Sequence, residues 1–248
     1  MQFKIIFSIG FTGLTVYCID MPLFFQLHTQ ENTSPDVTIS MPTKNGKFQW
    51  NSIVPYSISV SDQEDGNSEY NEIPRNEVLL MVKYLPDSSH VQKYLLDRLK
   101  VNNQPLLQMS TSTCFDCHAA KSKLIGPSFE LIASRYSSDP IPTESLARKI
   151  ITGTSSTWGD VKMPPNPNLK IEQAREMVNW ILKNSLDPDQ NYFAGMEGAF
   201  RTQEEPDKET GKEVYVLIAS YADHGVNNMP GSSKQGEHTV ALKNILNN

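Results

Sequence analysis

Five consecutive residues, Cys114-Phe115-Asp116-Cys117-His118, carry the densest chemistry in this 248-residue chain. Two thiols three positions apart, followed at once by an imidazole, have the spacing needed to add across the two vinyl groups of a haem while the histidine reaches the iron. Two other uses of the pair weigh against it. A structural zinc half-site needs a second Cys or His pair at suitable spacing, and none follows. A thioredoxin-like dithiol needs a surrounding βαβ pattern, which is absent.

A haem held in this way calls for a second axial ligand, and Met163 is the candidate, in Thr157-Trp158-Gly159-Asp160-Val161-Lys162-Met163-Pro164-Pro165. Proline fixes its own φ and restricts the residue before it, so the thioether can be held in place by a stiff loop. A methionine alone more often fills a gap in a core, and eight others are present. His28, His90, His224 and His238 belong to no spaced cluster and read as exposed or locally bonded. The acidic stretch Asp62, Glu64, Asp65, Gly66, Asn67 does not have the spacing of an EF-hand calcium loop and reads as a solvated turn. No serine–histidine–acid arrangement and no phosphate-cradling glycine loop is found, which removes the support for a hydrolase or a nucleotide-binding protein.

Taken together, these residues resemble the small class I bacterial cytochromes c. The likeness runs through Cys114-x-x-Cys117-His118, Ile125-Gly126-Pro127-Ser128-Phe129, Trp158-Gly159 and Met163-Pro164-Pro165 to a last helix, spanning roughly residues 103 to 184. The resemblance implies one covalently attached haem c with His118 and Met163 as iron ligands. It also implies a Pro127 carbonyl that accepts the Nδ1 hydrogen of His118, and a Trp158 beside a haem propionate. Simple packing explains Trp158 equally well. The sequence departs from the family at Ser155-Ser156, where glycine is frequent, and in the helix before Cys114, which Pro105 interrupts.

The elements that must position these residues fall into three stretches. Helical spacing runs through the middle. Phe129, Ile132 and Tyr136 share a face, Leu146, Ala147, Ile150 and Ile151 share another after Thr143 as N-cap, and Ala174, Met177, Val178, Ile181 and Leu182 form a core stripe with Trp180 at its flank. On either side apolar residues alternate in strand fashion, as in Tyr56, Ile58, Val60 and in Val78, Leu80, Val82, Tyr84, with a dense run from Val214 to Tyr221. Three or four strands before the helices and two or three after them are each too few for a sandwich of about seven. The expected fold is therefore α+β and multidomain: an all-α class I cytochrome c domain, residues 95–186, inserted into an immunoglobulin-like antiparallel β-sandwich made of residues 35–88 and 190–248.

Before these stretches, residues 1–28 have the layout of a secretion signal or membrane anchor, with an apolar run from Ile5 to Ile19 and no acid before Asp20. Cys18 sits in a poor context for lipid attachment. Removal of this segment leaves Cys114 and Cys117 as the mature chain's cysteines, so a disulfide framework is not expected. Net charge is −6, and no clustered basic face speaks for nucleic acid.

The flanking strands carry a second resemblance, in Trp50 to Val60, Ser61 to Gly66, Glu77 to Leu80, Tyr192 to Arg201 and Val214 to Tyr221. They look like β regions that accompany such cytochromes in bacterial proteins with a quinoprotein sugar-dehydrogenase propeller. No repeat of blade length is present here, so the resemblance implies a dehydrogenase as a separate partner. The expected protein is an electron carrier and not an enzyme, exported to the periplasm, free or tethered at the membrane. Single electrons would pass through a His/Met-ligated haem to or from a redox partner, a quinoprotein dehydrogenase or a terminal oxidase. A carbohydrate- or protein-binding sandwich with an accessory haem domain is the alternative, which stacked aromatics exposed on one sheet face would favour.

Overall fold

Alternation of apolar and polar residues makes the first strands. In β1 (Asp36–Met41) Val37 and Ile39 are buried between exposed neighbours, and β3 (Ile53–Asp62) buries Tyr56, Ile58 and Val60, with the two-residue β2 (Lys47–Phe48) between them. β4 (Gly66–Asn67) folds back on the end of β3, and β5 (Leu79–Leu85) completes this part. Helices α1 (Val91–Arg98), α2 (Gln104–Thr111), α3 (Cys114–Cys117), α4 (Phe129–Tyr136), α5 (Thr143–Thr152) and α6 (Ile171–Asn184) follow. The chain then returns to strands in β6 (Gln190–Ala194), β7 (Glu197–Arg201), β8 (Val214–Ala222) and β9 (Gln235–Asn244). The computed structural model describes residues 31–136, 143–155, 158–226 and 230–245; the expected signal or anchor, with Cys18 and His28, lies outside them.

Two sheets result. One has β3 paired with β1, β4 and β7; the other has the order β2-β9-β8-β5-β6. All pairs are antiparallel except β2 with β9, which is parallel, a departure from the all-antiparallel expectation. The helices are spliced into a hairpin: β5 and β6 pair directly, Lys83 opposite Gln190, and the Tyr84 N–H donates to the Asp189 carbonyl at 2.8 Å. β6 and β7 raise the strand count after the helices above the expected two or three. Each is only five residues long, and pairing with β5 and β3 completes them as strands.

The five-stranded sheet is the middle of three layers. Residues 214–221 of β8 are all buried, and the pleat deals them alternately to two cores. Tyr215, Leu217, Ala219 and Tyr221 face the other sheet, against Ile39, Ile58, Val60 and Phe200, while Val214, Val216 and Ile218 face the helices, against Leu107, Met177 and Ile181. β5 does the same, with Leu80 and Val82 on one side and Leu79, Met81 and Leu85 on the other. From Glu31 onward the chain is one compact unit.

Helix details follow from these contacts. Pro105 sits in the first turn of α2 and so opens that helix instead of interrupting it, because the first-turn N–H it lacks has no partner in a helix anyway. Thr143 is the first residue of α5 rather than its cap. Trp180, expected at a flank, is 4% exposed, because α6 is buried on two sides. One side meets α4 and α5; the other carries Trp180 onto Tyr192 of β6, ring centroids 5.3 Å apart. Tyr192 also meets Phe115 and Phe129, and its hydroxyl lies 2.8 Å from Ser185 Oγ. Lys83 of β5 pairs with Asp187 at 2.8 Å, and Lys121 donates to the Asp187 carbonyl and to Glu130, closing the exit of α6 onto the sheet.

Among the described residues no helix is long and apolar enough to cross a membrane, and Tyr70 is the only exposed aromatic side chain, which gives a stacked sugar-binding face no support. Trp180→Ala is expected to destabilise the protein by about 3–5 kcal/mol through the cavity it opens between helices and sheet. Chemical denaturation followed by tyrosine and tryptophan emission checks this, and a change under about 1 kcal/mol would contradict the two-sided burial of α6.

Candidate cofactor cradle

The residues singled out in the sequence meet at one cavity of about 260 Å³, enclosed by α2 to α6 and the loops between them. Cys114, Cys117, His118, Pro127, Trp158 and Met163 all line it. Its walls are otherwise mainly apolar, from Phe129, Ile132, Leu146, Ile150, Met177 and Ile181.

Backbone geometry presents the pentapeptide. Thr113, at φ 59°, takes the left-handed region that costs a β-branched residue about 1–3 kcal/mol, and this breaks α2 from the single turn α3. The His118 N–H closes that turn on the Cys114 carbonyl at 2.9 Å. The loop beyond is pinned at both ends: Gly126 N–H donates to Cys117, and the first N–H groups of α4, from Phe129 and Glu130, donate to the carbonyls of Ala119 and Ala120. This sets Pro127 over the imidazole, whose Nδ1 donates to the Pro127 carbonyl at 2.6 Å. Since a carbonyl only accepts, the proton sits on Nδ1 and Nε2 keeps its lone pair for a metal. Burial lowers the His118 pKa from its ordinary value, against the opposing pull of the Pro127 carbonyl, and so favours the neutral ring.

Gly126 lies so close to this ring that a Cβ there would fall 2.5 Å from Cε1 and 2.8 Å from Nδ1. Phe129 supports the ring, stacked at 5.5 Å. Cys114 and Cys117 form no disulfide with each other, and burial pushes the Cys114 thiol up to about 11. Among the described residues no three His, Cys, Asp or Glu side chains are placed to share an ion.

Met163 is held more tightly than its prolines alone imply. It exchanges both backbone hydrogen bonds with Thr154, at 3.1 and 2.9 Å, an isolated antiparallel bridge just past α5. Gly153 makes the bridge possible, with φ +74° and a position where a Cβ would come 2.7 Å from the Met163 carbonyl. Asn166 N–H then donates to the carbonyls of Ile150 and Ile151, tying the far side of the loop to the end of α5. Trp158 lies under the Arg135 guanidinium, 4.5 Å from its ring, and edge-on to Tyr136, in line with a packing role.

Sequence reasoning did not single out Gly126, Gly153, Thr154 or the buried Met109. Gly126 stood in a quoted motif, but only the folded loop reveals that the imidazole occupies the space of its side chain. The other histidines are placed elsewhere: His238 Nδ1 accepts from the Ile39 N–H, and His224 bonds Asp65 and Glu77. Burial opposes the charge on His224, but Glu77 and Asp65 together raise its pKa.

An apolar cradle among helices, with paired thiols and an oriented imidazole on one side and a clamped methionine in the same lining, defines the class of c-type cytochromes. Residues 108–185 match the cytochrome c family model. Cytochrome c-551 of Azotobacter vinelandii is 42% identical over 72 residues, 29% of this chain and 87% of the relative. Cytochrome c-552 of Nitrosomonas europaea is 37% identical over 71 residues, 29% of this chain and 69% of that one. The crystal structure of the wild-type cytochrome c552 from Nitrosomonas europaea aligns at 35% identity with a TM-score of 0.29, covering 30% of this chain and 93% of that one. The chain belongs to the cytochrome c family, and its cofactor is covalently attached haem c. Strands β1–β5 and β6–β9 lie outside the matched residues.

Gly126→Ala is expected to push the imidazole off its Pro127 partner, at a cost of about 1–3 kcal/mol in stability and with a changed haem spectrum. Thermal denaturation and visible absorption of the haem-loaded variant check this; wild-type values in both would show that the ring does not rest on Gly126.

Proposed function

We propose that this protein carries single electrons in the periplasm through one haem attached by thioether bonds at Cys114 and Cys117, with His118 Nε2 and Met163 Sδ as its two iron ligands. Held by these residues, the haem would supply one-electron chemistry between ferric and ferrous states, with a thioether ligand favouring the ferrous one. The observation that carries the reading is the fixed orientation of His118: its Nδ1 proton is committed to the Pro127 carbonyl in a cavity that Met163 also lines.

In this proposal the chain's own residues hold still. Burial favours the neutral imidazole and the hydrogen bond to Pro127 keeps it oriented, the contact with Gly126 limits its rotation, and the Thr154 bridge fixes the backbone that carries the methionine. A centre that keeps both ligands in both oxidation states suits transfer between proteins rather than catalysis on a bound substrate. Trp158, which lines the cavity and lies against the Arg135 guanidinium, would border the bound haem. Lys123, Lys149 and Lys162 line the cavity with the apolar Ile125 and Val161, a rim suited to an acidic redox partner. The β resemblance suggests a quinoprotein dehydrogenase as that partner, with a terminal oxidase as the other candidate.

We also propose that residues 95–186 are a cytochrome domain inserted into an immunoglobulin-like sandwich. Support comes from the direct pairing of β5 with β6, which leaves the splice at a hairpin end. Residues 95–186 expressed alone are expected to acquire covalent haem at a lower denaturation midpoint, because the sheet residues facing the helices are lost. Failure of that piece to fold around haem would speak against an inserted unit.

The main test is the exported, purified protein. Haem should stay on the chain through denaturing extraction, and the ferric spectrum should hold the weak far-red band that marks methionine ligation in this family. Met163→Ala should abolish that band and lower the midpoint potential by on the order of 0.1 V in a redox titration, within the ~0.8 V that axial ligands span. A strongly negative wild-type potential, or a band that survives the substitution, would overturn methionine ligation.

A further inference from the structure

The acidic turn after β3, read from sequence as solvated, is partly exposed, but single carboxylate oxygens in it are buried. Asp62 Oδ1 accepts the N–H groups of Glu64 and Asp65, and Glu64 Oε2 accepts the N–H and hydroxyl of Thr33. The second oxygen of each carboxylate, Asp62 Oδ2 and Glu64 Oε1, is buried with no hydrogen-bond partner among the described residues. Asn32, beside Thr33 and only 6% exposed, has a third such oxygen, Oδ1. These three acceptors come from segments that meet at one end of the sheets, where Thr33 reaches Glu64. Buried acceptors left unpaired are costly and therefore rare.

The amide orientation of Asn32 is not in question. Its Nδ2 donates to both oxygens of Asp223, at 3.1 and 2.9 Å, and to the Ser232 carbonyl at 2.7 Å. A flipped amide would set its oxygen against three acceptors. Neighbouring acids are otherwise engaged: Asp223 Oδ1 also accepts from Gly225 and Lys234, and Asp65 Oδ2 accepts from the Tyr221 hydroxyl and from His224. Lys234 extends its ammonium to the Asn32 main-chain carbonyl, leaving the side-chain oxygens unpaired. Asp62 lies within electrostatic reach of both Asp223 and Asp65, so carboxylates gather around two oxygens, Asp62 Oδ2 and Glu64 Oε1, that no donor among the described residues reaches.

We propose that Asn32 Oδ1, Asp62 Oδ2 and Glu64 Oε1 are ligands of a calcium ion that staples the chain entering β1 to the turn leaving β3. The donor set is all oxygen, with no histidine or cysteine, which selects a hard cation. Two carboxylates match its charge, and the amide makes a third ligand without adding more. Calcium tolerates the irregular spacing of ligands drawn from two separate segments, completing its shell with backbone carbonyls and water, where magnesium demands a near-octahedral shell. This arrangement escapes EF-hand spacing because residues 32 and 62–64 meet only in the fold. It holds a group of two acidic residues and an asparagine, in keeping with the absence, among the described residues, of any ion-sharing group of three His, Cys, Asp or Glu.

The test is calorimetric titration of the full haem-loaded protein, stripped with chelator, with calcium chloride and then magnesium chloride. One site per chain is expected, with a calcium Kd of about 0.1–1 mM, the range of extracellular calcium modules, and a higher thermal midpoint at saturation. Asp62→Asn and Glu64→Gln should each weaken binding at least about tenfold and leave the haem spectrum unchanged. No calcium uptake by the wild type up to about 10 mM, equal affinity for magnesium, or folded variants that bind like the wild type would each overturn the site. If a variant does not fold, a crystal of the wild type grown in calcium decides. Ion density about 2.3–2.6 Å from the three oxygens supports the proposal, and its absence there overturns it.

Discussion

The pleat of β5 and β8 is the constraint on which the rest of the molecule depends. A strand sends successive side chains to opposite faces, and in these two strands both faces are apolar, so both must be covered. One face closes the core between the sheets, through Leu80, Val82, Tyr215 and Leu217. The other, with Leu79, Met81, Val214, Val216 and Ile218, is a floor that only an apolar helical layer can cover, and α2 and α6 supply it. The three layers are therefore linked through two strands rather than joined by a flexible tether.

This floor reaches the cofactor cradle by way of Tyr192. The side chain stands on β6 but is ringed by Phe115, Phe129 and Trp180 from the helical layer, and Phe129 is the ring stacked on His118. The position of the imidazole is thus referred back to the sheet through two aromatic contacts, while its rotation is set locally by Pro127 and Gly126. Orientation and location have separate causes, which explains why the short motif around Cys114 is surrounded by so many residues with no chemistry of their own.

What was legible in the sequence divides along the same line. Cys114, Cys117, His118 and the Met163-Pro164-Pro165 loop announce themselves because their information is local: residue type at fixed spacing. Alternation in β1 and β3 is equally readable, since each has one buried face. β8 is harder, because a run buried on both sides loses its period, and nothing in Val214–Tyr221 says that two different cores await its two faces. Trp180 reads as flanking for the matching reason, that a helix with two buried sides does not keep to one stripe. The Thr154–Met163 bridge and the contact of Gly126 with His118 depend on loop closure. Asn32 and Asp62 are thirty residues apart in sequence, so no spacing rule joins them.

The splice at the β5–β6 hairpin has a mechanical consequence. Both ends of the helical layer leave the sheet at the same place, where Tyr84 is bonded to Asp189 and Lys83 to Asp187. Tension applied through β1 and β9 runs across the two sheets and their shared core, and bypasses the loop of chain that hangs from the hairpin. The cradle is out of the load path. A pull on β1 and β9 would therefore be borne first by the pairing of the sheets, and would reach the imidazole and the methionine only through the shared core.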